Sequence, residues 1–167
     1  MISKSRGKKK IRFMTLIVSI GIPLFIGWIT SILIPNMGLM YADLVKPNFS
    51  PPPIVFPIVW TILYVLMGIA SYKVYVLKYE NIDVSSAMFV YAIQLLLNFL
   101  WTFIFFGFRL YGLAFIELIV LILFVILTIK RFYKKAGKKA ALLLLPYLIW
   151  LIYAGVLNFF IWMLNEM

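Results

Sequence analysis

The side chains that could do chemistry in this sequence are mainly indoles, phenols and amides, because the chain contains no histidine and no cysteine. That composition leaves out the usual ligands of haem iron and zinc and the usual pairs of nucleophile and base. Five tryptophans and ten tyrosines remain, and their rings can stack on a flat apolar ligand. The residue types therefore favour a binding site, with no metal and no required cofactor, over acid–base catalysis.

Two amides and three aromatic residues share one face of a predicted helix. Tyr91, Gln94, Asn98, Trp101 and Phe105 follow one another at steps of three and four residues, which is the repeat of a helix face. Because an unpaired amide is costly in hydrocarbon, the two amides should face the interior of a helix bundle and take the aromatic residues with them. The alternative is that the amides only join neighbouring helices by hydrogen bonds.

A second aromatic stripe lies on the preceding apolar segment. Trp60, Tyr64, Gly68 and Tyr75 recur at spacings of three or four residues or their sums, so they share one broad helix face. This face could line the same interior site as the amides, or it could be a packing or lipid-facing stripe. The pattern alone leaves both interpretations open.

The last apolar segment combines aromatic and small residues. Tyr147, Trp150, Ala154, and Leu157 or Asn158 share a helix face. Ala154 is followed by a glycine, and such small residues leave space at the middle of a membrane helix. That space would be filled either by a neighbouring backbone or by a ligand.

Glu117 is the one acidic residue that falls within an apolar segment. At 1.5 Å per residue it lies roughly 10 Å along its predicted helix, inside the hydrocarbon layer. An acid at that depth is a candidate proton site by default. The alternative, which we favour, is that Glu117 stays protonated and donates one structural hydrogen bond.

All these residues must be positioned by membrane-spanning helices. The chain is 65% hydrophobic and 13% charged, with a mean hydropathy of +1.08, whereas the apolar share of a soluble domain is near half. About 20 helical residues cross a hydrocarbon core. We therefore predict a single-domain, all-α integral membrane protein built as a bundle of five transmembrane helices. The predicted helices are residues 12–34, 54–77, 86–108, 111–129 and 141–164.

The net charge of +11 is distributed as a topology signal. If the chain alternates across five spans, 14 of its 16 basic residues fall on the same side as the N terminus. The positive-inside rule then predicts a cytoplasmic N terminus and a C terminus outside. These basic groups would contact anionic lipid headgroups, and we expect no nucleic-acid partner. They are Lys4, Arg6, Lys8, Lys9, Lys10, Arg12, Lys73, Lys78, Lys130, Arg131, Lys134, Lys135, Lys138 and Lys139.

Five of the eight prolines lie between residues 41 and 68. Proline suits the first turn of a helix, where backbone N–H groups lack intrahelical partners, so residues 51–53 are predicted to be a helix entrance with Ser50 as its N-cap. Pro57 is predicted to kink that entrance or leave it partly unwound. Residues 35–53 would form a rigid loop that serves as a lid over the helix ends.

Several of these segments resemble one known family. The second-helix segment carries Lys46-Pro47, Phe49, Pro51-Pro52, Val59-Trp60-Thr61, Leu63-Tyr64 and Met67-Gly68, the third carries Gln94, Leu97-Asn98, Trp101 and Arg109, and the fifth carries Pro146-Tyr147-Leu148, Trp150 and Leu157-Asn158. This combination is similar to the TspO/MBR family, the translocator proteins also called tryptophan-rich sensory proteins. The resemblance covers nearly the whole chain.

The resemblance implies a five-helix bundle with a ligand pocket that opens under the first loop. Family members bind tetrapyrroles such as protoporphyrin IX, certain drugs and, in animals, cholesterol. Trp60 and Trp150 match two tryptophans implicated in porphyrin breakdown by bacterial relatives. Phe159 stands where the cholesterol-recognition pattern has a tyrosine, so that pattern is not met here. The residues that match pocket positions are Phe56, Val59, Trp60, Trp150, Ala154 and Leu157.

Three functions follow as hypotheses. The first, which we favour, is a receptor, sensor or carrier that binds a tetrapyrrole or a similar hydrophobic molecule inside the bundle. The second is light- and oxygen-dependent porphyrin degradation that uses Trp60 and Trp150. The third is proton-coupled transport of a small solute, with Glu117 as the proton site. The predicted ligand-binding residues are Phe56, Val59, Trp60, Tyr64, Gln94, Asn98, Trp101, Tyr147, Trp150, Ala154 and Leu157.

Two cations are predicted to lie at the pocket mouth. Lys46 and Arg109 are the basic residues that fall on the side of the C terminus. We hypothesise that Lys46 pairs with a propionate of a bound porphyrin by a charge-assisted hydrogen bond. The alternative is that both side chains only extend to lipid headgroups. Small residues on the helix faces are also compatible with a homodimer, without requiring one.

Overall fold

The computed structural model describes the backbone of residues 2–167 and the side chains of residues 10–167. The side chains of Lys4, Arg6, Lys8 and Lys9, on which part of the topology prediction depends, lie outside the described residues. Regular structure in the described part is helical throughout. The α-helices are α1 (Ile2–Leu33), α2 (Met37–Ala42), α3 (Val55–Tyr75), α4 (Ser85–Thr102), α5 (Tyr111–Ala136), α6 (Lys138–Leu142) and α7 (Leu145–Asn165), with a 3₁₀ turn at Val76–Glu80 and a π-helical turn at Phe103–Gly107.

The predicted fold class, an all-α bundle with five membrane-spanning helices, is confirmed. Within the described residues, five helical stretches are long and apolar enough to cross a bilayer. They correspond to α1, α3 with its 3₁₀ turn, α4 with its π turn, α5, and α6 with α7. Helix α1 packs mainly on α3, and α5 packs between α4 and α7. This arrangement leaves α1 at the edge of the bundle.

The basic segment 130–139, predicted as a loop, is mostly helical. Helix α5 continues to Ala136, past the predicted end of the span at residue 129, and α6 begins at Lys138. Phe132 is fully buried, and the Arg131 guanidinium donates a 2.8 Å hydrogen bond to the Ser86 carbonyl oxygen. Packing therefore extends the helix beyond its apolar run. The helical segment is interrupted at Gly137, whose φ of 76° lies in the left-handed region that favours glycine.

The proline-rich segment enters α3 differently from the prediction. Helix α3 begins at Val55 with Ile54 at the N-cap, so Ser50 is not its cap. A residue that precedes proline is disfavoured in helical conformation, and this keeps residues 50–52 out of the helix. Pro57 is then the third residue of α3, where a missing N–H costs no hydrogen bond. Pro57 therefore does not interrupt α3, which is continuous from Val55 to Tyr75, and the non-helical part of the entrance lies before it, at residues 51–54.

A close backbone contact fixes α1 against α3. Pro23 lies inside α1 and has no N–H to donate to the carbonyl oxygen of Ser19. Gly68 of α3 faces this carbonyl, and a Cβ added at Gly68 would lie 2.8 Å from the Ser19 oxygen and 2.5 Å from Ile20 Cα. Pro23 thus leaves the Ser19 carbonyl oxygen without its helical hydrogen bond, at the point where Gly68, which has no side chain, lets α3 approach α1. This contact sets the distance between α1 and α3.

The bundle has two groups of buried apolar residues. The larger group fills its centre, around Met67, Leu121 and Leu151. The smaller group joins the segment before α3 to the ends of the other helices, and it contains Tyr41 and Phe105. Trp101 packs against both groups, and the space between the two groups and α1 is not filled by side chains. That space is the candidate site.

Candidate ligand-binding cavity

A cavity of about 840 Å³ opens between α1, α2, α3, α4 and α7 beneath the lid segment 35–53. Its volume lies in the upper part of the range of small-molecule sites, and its walls are mainly aromatic and aliphatic. No residue of α5 lines it. Eight of the predicted ligand-binding residues do line it, namely Phe56, Trp60, Tyr64, Asn98, Trp101, Trp150, Ala154 and Leu157.

Three predicted residues lie behind the wall instead. Val59 packs against the central core group, Gln94 is 1% exposed, and Tyr147 is fully buried. None of them is among the lining residues. Tyr147 supports the wall, because its ring contacts Trp60 edge-to-face at a centroid distance of 6.0 Å. Their predicted role in ligand contact stays a prediction.

Helix α1 supplies a wall that the sequence interpretation did not assign to the site. Leu24, Gly27, Trp28, Ser31 and Ile34 line the cavity at helical spacing. Proline and glycine are common in membrane helices and by themselves indicate only helix packing. The available signal was the recurrence of small residues at positions 27 and 31, one helical turn apart, which leaves room beside the helix.

A chain of hydrogen bonds connects the predicted amide to two tyrosines. The Tyr64 hydroxyl donates to Asn98 Oδ1 at 3.0 Å, and Asn98 Nδ2 donates to the Tyr147 hydroxyl at 3.1 Å. Asn98 is 4% exposed, so these bonds satisfy an amide that would otherwise be costly at this depth. The chain joins α3, α4 and α7 and holds the inner end of the cavity in one arrangement.

Removing this amide should destabilise the bundle. In Asn98→Leu, the hydroxyls of Tyr64 and Tyr147 lose their partners, and we expect a loss of about 1–3 kcal/mol in the free energy of unfolding. Thermal unfolding in detergent measures it. The matched control adds Tyr64→Phe and Tyr147→Phe to the same variant, which removes the orphaned hydroxyls and should restore part of the stability. Equal stability of Asn98→Leu and the parent would contradict the role of the chain.

A second amide orients the indole of Trp101. Trp101 Nε1 donates to Asn158 Oδ1 at 3.1 Å, and Asn158 Nδ2 donates to the carbonyl oxygen of Tyr111 at 2.9 Å. Trp101 also stacks on Phe105 at a centroid distance of 4.9 Å. Asn158 lines the cavity although the sequence left open whether it or Leu157 would do so. Leu157 and Asn158 both line it, because the side of α7 that faces the cavity includes two consecutive residues.

Two donors buried in the cavity wall make no hydrogen bond of standard length and angle within the described residues, although the Ser50 hydroxyl lies beside one of them, that of Tyr41. They are the indole Nε1 of Trp150 and the hydroxyl of Tyr41, which belongs to α2 in the lid. Burial raises the pKa of the Tyr41 hydroxyl above its ordinary value, so this group stays protonated and able to donate. Phe56 contacts the rings of Tyr41 and Trp150 edge-to-face, at centroid distances of 4.8 and 5.9 Å. These three rings form a continuous aromatic wall from lid to α7.

Lys46 lies in the lid, but its ammonium group bonds to the lid itself. Lys46 Nζ donates to the carbonyl oxygens of Tyr41, Ala42 and Leu44, each at 2.7 Å. These bonds use all three ammonium donors and cap the C-terminal end of α2. Lys46 is not among the residues that line the cavity. A pairing with a propionate would require it to leave these carbonyls.

Arg109 lines a separate, smaller pocket of about 400 Å³. It has a φ of 56° in the turn between the π segment and α5. Glu166 lines the same pocket, and its carboxylate accepts 2.9 Å hydrogen bonds from the backbone N–H groups of Tyr111 and Gly112. Glu166 therefore caps the N-terminal end of α5, where an anion is favoured. Arg109 is thus placed at the bundle end but outside the main cavity.

Glu117 does not line the cavity either. Both of its carboxyl oxygens are buried without a hydrogen-bond partner in the described part of the chain. The structural hydrogen bond that we favoured for Glu117 from the sequence is therefore not present among these residues. The side-chain amide of Gln94 is also buried, and neither its oxygen nor its nitrogen has a hydrogen-bond partner among the described residues. Buried polar atoms of this kind commonly hold an internal water molecule.

The lid is attached to the end of α7. The side-chain amide of Asn165 accepts a 3.1 Å hydrogen bond from the Val45 N–H and donates a 2.9 Å hydrogen bond to the Val45 carbonyl oxygen. The Tyr153 hydroxyl donates to the carbonyl oxygen of Phe49 at 3.1 Å. These bonds hold residues 45–49 over the helix ends. A ligand that enters from this side must pass the lid or part α1 from its neighbours.

Comparisons of the sequence with known proteins identify one family. Residues 19–163 match the family model described as "TspO/MBR family". The chain is 38% identical to the "Tryptophan-rich protein TspO" of Chlorobaculum tepidum over 92% of this chain and 98% of that protein. It is 43% identical to the protein of the same name from Archaeoglobus fulgidus, over 75% of this chain and 79% of that one. It is also 34% identical to the "Translocator protein" of Sus scrofa, over 91% and 88% of the two chains.

Proposed function

The chain belongs to the TspO/MBR family of multi-pass membrane proteins, and we propose that it is a receptor or sensor whose cavity binds a tetrapyrrole of the protoporphyrin IX type. Carriage of the same ligand would use the same site. The family membership and the names of the relatives support a sensor or receptor role in the membrane. The identity of the ligand is the part that we propose.

The observation that carries the proposal is a large aromatic cavity. Indole, phenol and phenyl rings line about 840 Å³ of space, which suits a flat apolar macrocycle. The N–H of Trp150 and the O–H of Tyr41 have almost no accessible surface in the ligand-free cavity, so each would gain a hydrogen bond from the ligand once the neighbouring side chains move on binding. A bound tetrapyrrole would have no histidine or cysteine ligand from this chain, so stacking and these donors would hold it.

Binding of protoporphyrin IX by the purified full-length protein tests the proposal. Titration followed by the porphyrin Soret band should give saturable binding. Trp150→Phe and Tyr41→Phe keep a ring but remove a donor, and each should weaken binding about fivefold, the contribution of one ordinary hydrogen bond. Trp162→Phe, on α7 but outside the cavity, is the matched control. Unchanged affinity in both cavity variants would exclude this site.

The position of the ligand's carboxylates is a further part of the proposal. In the described structure the ammonium of Lys46 is occupied by three carbonyl groups, so we expect Lys46→Ala to alter lid stability more than ligand charge pairing. Comparing protoporphyrin IX with its dimethyl ester separates the two effects. If Lys46→Ala and Arg109→Ala weaken binding of the acid but leave binding of the ester unchanged, the cations pair with propionates after all.

A second candidate function is porphyrin degradation driven by light and oxygen. The observation that favours it is that Trp60 and Trp150, from α3 and α7, line the same cavity. Under illumination in air, the bound porphyrin spectrum should then fade at a rate that falls in Trp60→Phe and in Trp150→Phe. Stable binding under light would leave only the receptor function.

We also propose that the N terminus is cytoplasmic and the C terminus is outside. Because the chain has no cysteine, single cysteines report orientation directly. Asn36→Cys, in the lid, should react with a membrane-impermeant maleimide in intact cells. Lys139→Cys, in α6 at the opposite end, should react only after the membrane is opened. The reverse pattern would overturn the proposed orientation.

A further inference from the structure

A second cavity lies between α1 and α4, at the end of the bundle that contains the N-terminal part of α1. Its volume is about 580 Å³, and it shares no lining residue with the first cavity. We call it the α1–α4 groove. One wall is the stretch of α1 from Lys10 to Ile22, and the other consists of Ser71 and Tyr75 of α3, Tyr79 of the 3₁₀ turn, and Met88 and Tyr91 of α4.

The groove exists because α1 is held by α3 and not by α4. The contact of Gly68 with the backbone at Ser19 and Ile20 fixes α1 on α3, and α1 makes far less contact with α4. Apolar side chains of α1 therefore border an open channel along the edge of the bundle. Met14, Val18 and Ile22 line it and are each about half exposed. In a bilayer, that exposed side faces lipid.

Hydroxyl groups give the groove a polar rim. The hydroxyls of Thr15 and Tyr79 lie 2.8 Å apart near its N-terminal end, and the Thr15 hydroxyl also donates to the Ile11 carbonyl oxygen at 2.9 Å. The Tyr91 hydroxyl lies beside Ser71, beneath the surface of the groove, where it has almost no accessible area. The groove therefore offers a ligand a polar rim beside an apolar channel.

The groove also has a cation at its end. Lys10 lines it and makes no ion pair within the part of the chain that the structure describes. The Glu80 carboxylate, which follows Tyr79 in the chain, is paired with Arg12 at 3.1 Å. The basic residues of the chain are concentrated at this end of the bundle as well. An anionic headgroup is the complement of that charge.

We propose that the α1–α4 groove binds one anionic glycerophospholipid from the adjacent leaflet. The phosphate lies by Lys10, the ester groups lie at the rim formed by Thr15 and Tyr79, and one acyl chain follows the groove to Ile22. From Lys10 to Ile22, α1 rises about 18 Å, close to the roughly 15 Å that one leaflet contributes to the hydrocarbon core. The site is independent of the first cavity and of whatever binds there.

Native mass spectrometry of the full-length protein tests the proposal with two defined lipids. Dioleoylphosphatidylglycerol carries the anionic headgroup, and dioleoylphosphatidylcholine carries the same chains and ester groups without net charge. The expected result is one tightly retained phosphatidylglycerol per chain, with phosphatidylcholine retained about fivefold less. Equal retention of the two lipids would overturn the anionic assignment.

Three variants locate the site. Met88→Trp fills the groove and should remove the retained lipid, whereas Phe89→Trp, at a neighbouring position that is 66% exposed, should not. Lys10→Gln should abolish the preference for phosphatidylglycerol. Thermal unfolding of each variant shows that it is folded. If Met88→Trp retains as much lipid as Phe89→Trp, the groove is not the site.

Discussion

Substitution of Ala154 by tryptophan should abolish ligand binding while the bundle stays folded. Ala154 lines the cavity at the middle of α7, one helical turn from Trp150 and one from Asn158, which also line it. An indole at this position would occupy the space into which a flat ligand must enter. We expect affinity for protoporphyrin IX to fall at least 30-fold, which corresponds to about 2 kcal/mol.

The control for this prediction uses the same helix and the same new side chain. Val156 lies two residues from Ala154 and is 46% exposed, so Val156→Trp adds an indole on the lipid-facing side. It should bind porphyrin as the parent does. Soret titration measures both variants, and the helical circular dichroism of each reports the fold. Parent-like affinity in Ala154→Trp would show that the ligand does not enter this cavity.

Substitution of Gly68 by alanine should be the most destabilising exchange of a single methyl group in α3. The added Cβ would meet Ile20 Cα at 2.5 Å and the Ser19 oxygen at 2.8 Å, and both are backbone atoms that cannot rotate away. Helix α1 would have to move away from α3. Overpacking of this kind costs about 1–3 kcal/mol, which should lower Tm by about 2–12 °C for a chain of this size.

Gly21→Ala provides the matched control for Gly68→Ala. A Cβ at Gly21 meets nothing within 4 Å, although Gly21 lies in α1 close to the same contact. Alanine is favoured over glycine within a helix, so Gly21→Ala should unfold at the same temperature as the parent or slightly above it. If the two variants melt together, α1 is not fixed through Gly68, and that contact does not hold the α1–α4 groove open.

Much of the site could be predicted because it depends on properties of single helices. The steps of three and four residues from Tyr91 to Phe105 fix which side of α4 carries Asn98 and Trp101. The cost of burying an amide in hydrocarbon then turns that side inward. The same reasoning turns Gln94 inward, and it is buried, but the helical period does not distinguish a residue behind the wall of a cavity from one on it. The sequence did not assign Gly27, Ser31 and the rest of the α1 wall to the site. Small residues occur both where two helices pack and where a ligand binds, so their type does not distinguish the two roles.

The amino-acid sequence by itself determined the membrane class, the five spans and the inward side of α4, because hydropathy and helical period are properties of consecutive residues. The tertiary structure alone decided where the ligand-binding cavity lies. It depends on the Gly68 contact that holds α1 on α3, on the hydrogen bonds that commit Lys46 to the end of α2, and on the packing that carries α5 to Ala136. These features join residues far apart in the chain, and their energies depend on interatomic distances that no local pattern contains.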